Sequence, residues 1–285
     1  MPGLPGPKLC HINHQTLPIG MNEQSALRLN KFISDTGFCS RREADKYIEA
    51  GKVSVNGHIA VVGTRVSEQD TVLINGKPLK VKPARVYLAY HKPIGITCTT
   101  ERHIPGNIID AVKYKERIFP IGRLDKPSEG LIFLTNDGDI VNKILRAGNA
   151  HEKEYVVTVD KPITQAFLDK MAKGVPILDT ITLPCKIRQV SRHTFNIILT
   201  QGLNRQIRRM TEYLGFNVTQ LKRVRIMNVR LAELRPGQWR ELTLSEMSEL
   251  EHKLLHSVKT VASAPQSRPS SRKTGSKPAS NFRSV

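Results

Sequence analysis

The spacing of apolar and polar residues predicts two segments of different architecture between the ends of the chain. In the first segment, 25–85, two helical patterns come before stretches in which apolar and polar residues alternate. The first helical pattern, over residues 27–33, stops before Gly37. The second starts at Ser40, and Glu43 three residues later gives the spacing of a capping box. Two short helices are therefore predicted at the start of this segment.

Short strands joined by tight turns are predicted to follow these helices. Residues 53–55 alternate in a Val-Ser-Val pattern and lead into Asn56-Gly57, which is a strong hairpin signal. A second apolar run over 71–74 ends in the same way, at residues 75–76. A basic stretch over 80–85 then separates this helix–strand segment from the rest of the chain.

The second segment, 86–255, contains strands and helices that do not alternate regularly. Apolar runs predict strands at 86–90, 119–121, 131–135, 155–160, 194–200 and 218–227. Helical spacing of apolar residues, together with cap signals, predicts helices at 139–147, 164–173, 205–214 and 243–256. Because this order is not a series of strand–helix–strand units, we expect an α+β fold.

The charge of the chain points to a polyanionic partner. Lys and Arg number 44 against 25 Asp and Glu, which gives a net charge of +19. The excess is spread over the body of the chain, since residues 25–85 alone hold 11 basic and 6 acidic side chains. RNA is the commonest cytosolic polyanion, so we expect an RNA partner, with a merely solubilising surface as the alternative.

Both ends of the chain are predicted to be disordered. Residues 1–24 are rich in Pro and Gly without periodicity, and residues 256–285 are rich in Ser, Pro, Lys and Arg with no acidic residue. The first is expected to be a disordered extension and the second a disordered basic tail. The triplet Cys10, His11 and His14 resembles a fragment of a metal site, but it falls in the extension, so no metal is expected.

Several classes of protein are disfavoured by features that the sequence lacks. No stretch approaches the roughly 20 apolar residues of a membrane span, and the N-terminus does not have the pattern of a secretory signal. The four cysteines are scattered, which is typical of free thiols in a reducing cytoplasm. Phosphate-binding and dinucleotide-binding glycine loops and zinc-protease motifs are absent, so no nucleotide cofactor is expected.

One carboxylate occupies a position where chemistry is often found. Asp125 lies in a turn bounded by Gly122 and Pro127, with the apolar run 118–119 before it and 131–134 after it. A loop between two strands holds a side chain at a fixed position. This local pattern by itself indicates only an ordered Asp on a loop, and a turn-capping Asp is the alternative.

Four motifs in chain order resemble those of the pseudouridine synthases. They are His-Lys-Pro-Ile-Gly at 91–95, Gly-Arg-Leu-Asp through Gly-Leu at 122–131, Lys-Glu-Tyr at 153–155, and the run 201–210. Within that last run, Asn-Arg-Gln-Ile-Arg-Arg-Met is similar to the branch that carries an N-terminal S4 domain and modifies bacterial ribosomal RNA, and the chain resembles its F type in particular. The sequence departs from much of the branch at 201–203, where Gln-Gly-Leu replaces Glu-Gly-Arg.

The resemblance implies a fold and an activity. It implies a small S4 (αL-type) RNA-binding domain over 25–85 and a catalytic domain over 86–255, built on a mixed, largely antiparallel sheet with flanking helices. The implied reaction converts a uridine of 23S ribosomal RNA to pseudouridine. The same chemistry on a transfer RNA loop, and a non-catalytic RNA-binding or ribosome-assembly factor, remain the alternatives. A monomer without cofactor is expected.

The resemblance also implies roles for individual residues. Asp125 would be the nucleophile, Tyr155 would stack on the flipped base and take part in proton removal, and Arg208 would pair with Asp125. The residues implied in RNA binding are Arg41, Arg42, Lys52, Arg123, Asn204, Arg205 and Arg209. From the residues alone, Arg208 is equally placed for a helical ion pair with Glu212, and Tyr155 for a place in a strand core. The turn at 92–95 is interpreted as structural rather than catalytic.

Overall fold

The computed structural model describes residues 26–255 and residue 257. The expectations for the N-terminal extension, for the Cys10, His11 and His14 triplet and for the basic tail beyond 257 lie outside the described residues. The described chain divides into two compact units, one formed by residues 26–138 with Glu233–Leu242 and the other by Asp139–Ala232 with residues 243–255. No helix in the described part is long and apolar enough to cross a membrane.

Short strands and helices alternate irregularly along the described part of the chain. They are β1 (Leu27–Arg28), α1 (Leu29–Asp35), α2 (Arg41–Glu49), β2 (Val53–Val55), β3 (His58–Ile59), β4 (Arg65–Val66), β5 (Val72–Ile74), β6 (Lys77–Pro78), β7 (Tyr87–Lys92), α3 (Ile108–Val112), β8 (Phe119–Ile121), β9 (Glu129–Thr135), α4 (Gly138–Leu145), β10 (Lys153–Val159), α5 (Gln165–Lys173), β11 (Pro176–Ile177), β12 (Thr180–Ile181), β13 (Lys186–Gln189), β14 (Thr194–Leu199), α6 (Gln206–Tyr213), β15 (Val218–Ile226), β16 (Val229–Arg230), β17 (Trp239–Glu241) and α7 (Leu244–Leu254).

The helix–helix–strand order predicted for the first segment is present in the first unit. The capping box at the start of α2 is confirmed, because the Glu43 N–H donates to the Ser40 hydroxyl at 3.2 Å and the Ser40 N–H donates to Glu43 Oε2 at 2.7 Å. The helix predicted from residue 27 begins two residues later, since Leu27 and Arg28 pair with β4. The four strands β3, β2, β5 and β6 form an antiparallel sheet in that order, and the helices pack on it.

The rest of the first unit is an antiparallel sheet whose central strands are almost entirely buried. Strand β7 lies between β9 and β17, and β8 pairs with the other edge of β9. Strand β8 has the bounds that the sequence predicts, and β9 starts two residues earlier than expected. The burial of Leu88, Leu131 and Phe133 fixes the register of this sheet, and with it the positions of the loops at its edge.

The second unit is built on the antiparallel strands β13, β14, β10 and β15, in that order, with β16 paired to β15. Helices α5 and α6 pack on this sheet through Phe167 and Met210, which join Val157 and Phe195 in one core. Helix α7 begins with the predicted capping box between Thr243 and Glu246. All the strand pairings described for both units are antiparallel, so the expected α+β class with antiparallel sheets is confirmed.

Candidate active site

The loop that carries Asp125 is held in place by backbone hydrogen bonds at both of its ends. It joins β8 to β9, as the sequence predicts, and Asp125 is half-buried within it. The Ser128 N–H donates to the Asp125 carbonyl at 3.0 Å, and the Leu124 N–H donates to Cys98 Sγ at 3.4 Å. Because Leu124 and Ser128 on either side are buried, the loop presents the carboxylate from an anchored backbone.

The turn at residues 92–95 supports this loop from behind. The Gly95 N–H donates to the Lys126 carbonyl at 2.9 Å, next to Asp125 in the chain, and Gly95 has a φ of +90° that favours glycine. Lys92 is fully buried, and its ammonium donates to the Pro93 and Ile96 carbonyls at 2.9 Å each. These bonds close the turn on itself, which agrees with its interpretation as a structural element.

Tyr155 lies beside an irregularity in the pairing of β10 with β15. Glu154 pairs with Arg225 but Tyr155 pairs with Arg223, so Val224 is an extra residue on β15. A bulge of this kind changes the direction of the neighbouring side chains, and such bulges are frequent next to active sites. The Tyr155 ring packs against the core at one edge, and the guanidinium carbon of Arg223 lies 6.0 Å from the ring centroid.

A buried pair of cations, one on β10 and one on β15, lies on the same face of the sheet as Tyr155. Lys153, two residues before Tyr155, is only 6% exposed, and its ammonium donates to the His151 carbonyl at 3.0 Å. Burial, and to a smaller extent the charge of Arg223, which is itself 4% exposed, lower the pKa of Lys153 to about 8. The sequence motifs do not reveal Arg223. Regular alternation would place residues 223 and 225 on one face of the predicted strand, so no local pattern distinguishes Arg223 from Arg225, which lies on the opposite face because of the extra residue at 224.

An ion-pair network holds the opposite face of the same strands. Arg225 donates to Glu154 Oε2 at 2.8 Å and to Glu152 Oε2 at 3.0 Å, and it also donates to the Met227 carbonyl at 2.7 Å. The hydrogen bond from Arg225 is the main cause that lowers the pKa of Glu152. Because one guanidinium bridges two carboxylates, Arg225 holds the adjacent ends of β10 and β15 together near Tyr155.

The 201–210 motif forms the entry to α6. Arg208 is half-buried on this helix, and its Nη1 donates to the Val218 carbonyl at the start of β15 at 3.3 Å. Arg209 donates to the Asn204 carbonyl at 3.1 Å, which holds the loop before the helix. At the departure from the family pattern, the Gln201 side-chain oxygen accepts from the Leu183 N–H at 3.1 Å, so this residue has a structural contact.

The structure distributes the predicted catalytic residues between the two units. Tyr155 and Arg208 lie in the second unit and Asp125 lies in the first, so the pairing of Arg208 with Asp125 stays a prediction.

The predicted RNA-binding cations of α2 and the following turn are solvent-accessible. Arg41, Arg42 and Lys52 are exposed, although Arg41 also donates to Asn30 Oδ1 at 3.4 Å and the Lys52 ammonium lies 6.0 Å from the Tyr47 ring. Arg123, Asn204 and Arg205 are exposed as well, and Arg209 is half-buried. A residue must be accessible to solvent to contact RNA, and these residues meet that requirement. The role of these seven residues in RNA binding stays a prediction.

Comparison with known proteins identifies the family. Residues 86–213 match the RNA pseudouridylate synthase family and residues 27–72 match the S4 domain. Over 232 residues the chain is 55% identical to the dual-specificity RNA pseudouridine synthase RluF of Escherichia coli, which covers 81% of this chain and 80% of the relative. It is 36% identical over 233 residues to the ribosomal large subunit pseudouridine synthase B of Bacillus subtilis, covering 78% of this chain and 95% of the relative.

A solved structure agrees with these relatives. A crystal structure of a pseudouridylate synthase is 30% identical, with a TM-score of 0.59, and the match covers 80% of this chain and 100% of that one. The predicted order of an S4 domain followed by a synthase domain, the predicted enzyme class and the resemblance to the F type are thereby confirmed, whereas the bounds 25–85 and 86–255 stay a prediction. The chain belongs to the RNA pseudouridine synthases, in the branch that carries an N-terminal S4 domain.

Proposed function

We propose that the protein isomerises a specific uridine of 23S ribosomal RNA to pseudouridine. The choice of 23S ribosomal RNA as the substrate rests on the 36% identity to a ribosomal large subunit synthase over 95% of that relative's length. The S4 domain and the net charge of +19 support a large structured RNA as partner. A transfer RNA loop is the second candidate, and the words "dual-specificity" in the name of the relative that is 55% identical favour it as an additional target.

The reaction needs a nucleophile and a base, and the candidate residues supply both. The C1′–N1 glycosidic bond of the uridine breaks, the base rotates, and a new bond forms between C1′ and C5, after which the C5 proton leaves. Asp125 is the proposed nucleophile. Its anchored backbone supports this role, since a reacting carboxylate has to be positioned before the substrate arrives.

Tyr155 is proposed to stack on the flipped base and to remove the C5 proton. The buried Arg223 behind its ring and the bulge beside it support a fixed ring orientation. The variants Tyr155→Phe and Tyr155→Leu separate the two roles. We expect Tyr155→Phe to bind RNA normally and to lose about 10²- to 10⁴-fold in turnover, as for the loss of a general base. Full activity of Tyr155→Phe would show that the hydroxyl takes no part.

Arg208 is proposed to pair with Asp125 and orient it. We expect Arg208→Gln to lower kcat strongly, and a double variant with Asp125→Ala to lose no more than Asp125→Ala alone, because residues that act as a unit are not additive. Additive losses would place Arg208 in a separate step.

RNA binding is proposed to extend over both predicted domains, 25–85 and 86–255. The contacts are assigned to exposed or half-buried residues near the motifs: Arg41, Arg42, Lys52, Arg123, Asn204, Arg205 and Arg209. Extruding the target nucleotide costs a few kcal/mol, and contacts remote from the base supply binding energy for it. We further propose that the protein acts as a monomer in the cytoplasm. The free thiols of Cys39, Cys98 and Cys185 agree with a reducing compartment such as the cytoplasm.

The substrate is tested by tritium release from transcripts labelled with [5-³H]uridine. The wild-type protein is incubated with 23S ribosomal RNA and, separately, with a set of transfer RNAs. We expect one equivalent of tritium per 23S molecule. Release from transfer RNA alone would overturn the ribosomal assignment, and release from both would establish two classes of target. Release from neither would favour the non-catalytic RNA-binding alternative.

A further inference from the structure

A groove of about 1000 Å³ lies within the first unit, outside the loop that carries Asp125. One wall is the N-terminal part of α2, and the other is the segment 100–118, which includes part of α3. Six cations line the groove, namely Arg41, Arg42, Lys46, Arg102, Lys115 and Arg117. Three of them come from the S4 segment and three from the synthase segment, so the positive charge is contributed by both walls.

Three carboxylates also line the groove, so they offset only part of the charge of the six cations. Glu43 is used in the capping box of α2, Glu101 lies 3.6 Å from His103, and Glu116 is the third. In residues 26–255, none of the six cations has a carboxylate within ion-pair distance, and Arg41 donates instead to Asn30 Oδ1 at 3.4 Å. Cations that face one another repel, so the groove attracts an anion that enters between them.

The two walls are close enough for Arg117 to act on α2. The pKa of Glu43 is lowered chiefly by its hydrogen bonds with Ser40, and Arg117 on the opposite wall lowers it further. An anion between Arg117 and the cations of α2 therefore contacts both walls at once.

Apart from the His103 ring, which lies 3.6 Å from Glu101, the groove offers no exposed aromatic ring on which bases can stack. Tyr114 is the one Phe, Tyr or Trp residue among its lining, and its ring is packed edge-on against Trp239 at 5.3 Å. Proteins that bind single strands use exposed aromatic rings as stacking platforms, whereas double-helical RNA is recognised through its shape and its phosphates. The chemistry of this groove therefore matches the backbone of a helical stem.

We propose that this basic groove binds the ribose-phosphate backbone of a double-helical RNA stem, with Arg102, Lys115 and Arg117 as contact residues in the synthase segment. The inference rests on the proposed function only because it takes the bound polyanion to be RNA, and it does not depend on catalysis. It gives the segment 100–118 a binding role that neither the catalytic motifs nor the S4 match at 27–72 includes.

The test uses the full-length protein and a G·C hairpin RNA that contains no uridine, so that it does not depend on catalysis. Its dissociation constant is measured by fluorescence anisotropy over a series of KCl concentrations. The variant Arg102→Gln/Lys115→Gln/Arg117→Gln removes three cations of the groove. A matched control, Lys170→Gln/Lys173→Gln/Arg188→Gln, removes three exposed cations of the second unit.

Each lost phosphate contact reduces the slope of log K against log salt by about 0.9 for a duplex. We therefore expect the groove variant to lower the slope by about 2 to 3 and to weaken binding at low salt at least tenfold, while the control leaves the slope nearly unchanged. Arg117 is half-buried, so the exposed pair Arg102→Gln/Lys115→Gln serves as a second variant, with an expected slope change of about 2.

Two results would overturn the inference. If the groove variant and the control reduced the slope equally, the binding would reflect net charge rather than this groove. If the groove variant weakened binding of a uridine-free single strand as much as that of the hairpin, the assignment to a helical stem would be wrong. A synthase that fails to release tritium can still pass this test, so the two proposals fail separately.

Discussion

Replacing Lys153 by Met is expected to change how the stability of the protein depends on pH. The side chain is 6% exposed, and burial is the main cause that lowers its pKa from 10.5 to about 8. Below pH 8 the side chain is charged in both the folded and the unfolded chain, so the folded state carries the cost of burying a charge. Met is of similar length and removes the charge.

The size and sign of the effect follow from the two pKa values. Between pH 8 and pH 10.5 the folded chain has released the Lys153 proton while the unfolded chain keeps it, so the free energy of unfolding rises with pH. One pKa unit corresponds to about 1.4 kcal/mol, so the shift from 10.5 to about 8 gives an upper limit of about 3.5 kcal/mol for this rise. Above pH 10.5 both states are neutral at this position and the rise ends.

Urea denaturation of the wild-type protein and of Lys153→Met between pH 7 and pH 10.5 measures this difference. The free energy of unfolding of the wild type minus that of the variant should rise by about 2 to 3 kcal/mol across the window. Lys170→Met, at an exposed position of α5, is the control and should give a constant difference. A constant difference for Lys153→Met as well would refute the reasoning.

Two further predictions concern packing and thiol reactivity. Gly174→Ala should lower the free energy of unfolding by more than about 2 kcal/mol, because φ is +107° and the added Cβ would overlap the Thr182 carbonyl oxygen. The control Gly138→Ala places its Cβ in open space and should change the free energy of unfolding by less than about 1 kcal/mol. Equal effects in urea denaturation would contradict this. Burial raises the pKa of Cys39 and of Cys185 to about 11, so both should resist alkylation by iodoacetamide at pH 8 until urea unfolds the chain, as followed by mass spectrometry. Labelling at the unfolded rate in the native protein would be the contrary result.

Elements with strong local signals were predicted well from the sequence. Helix α2 has a capping box and one apolar face, and strand β8 is bounded by turn residues, so both lie close to the predicted positions. Helix α3 was missed because it has only five residues, too few to show a period, and depends on the Asn107 cap, whose side chain accepts from the Asp110 N–H at 2.9 Å. Strand β17 was missed since its pairing with β7 joins residues about 150 positions apart, which no local pattern reveals.

Sequence motifs nominate the candidate residues but do not show what surrounds them. The motifs make Asp125, Tyr155 and Arg208 the candidates, because the chemistry depends on particular residue types within each motif, and their roles stay a prediction. The sequence did not predict that Arg223 lies behind the Tyr155 ring, since this depends on the register of β10 and β15 and on the extra residue at Val224. Long-range register is set by tertiary packing, and a shift of one residue would move Arg223 to the other face of the sheet.

Comparing wild-type protein with Asp125→Asn in the tritium-release assay on 23S ribosomal RNA tests the central claim most directly. Asn has almost the shape of Asp, so the loop and RNA binding should be retained while the nucleophile is lost. We predict stoichiometric release by the wild type, no release above background by Asp125→Asn, and a dissociation constant for the RNA that changes less than about threefold. Release by Asp125→Asn at a rate near that of the wild type would contradict the assignment of Asp125 as the nucleophile.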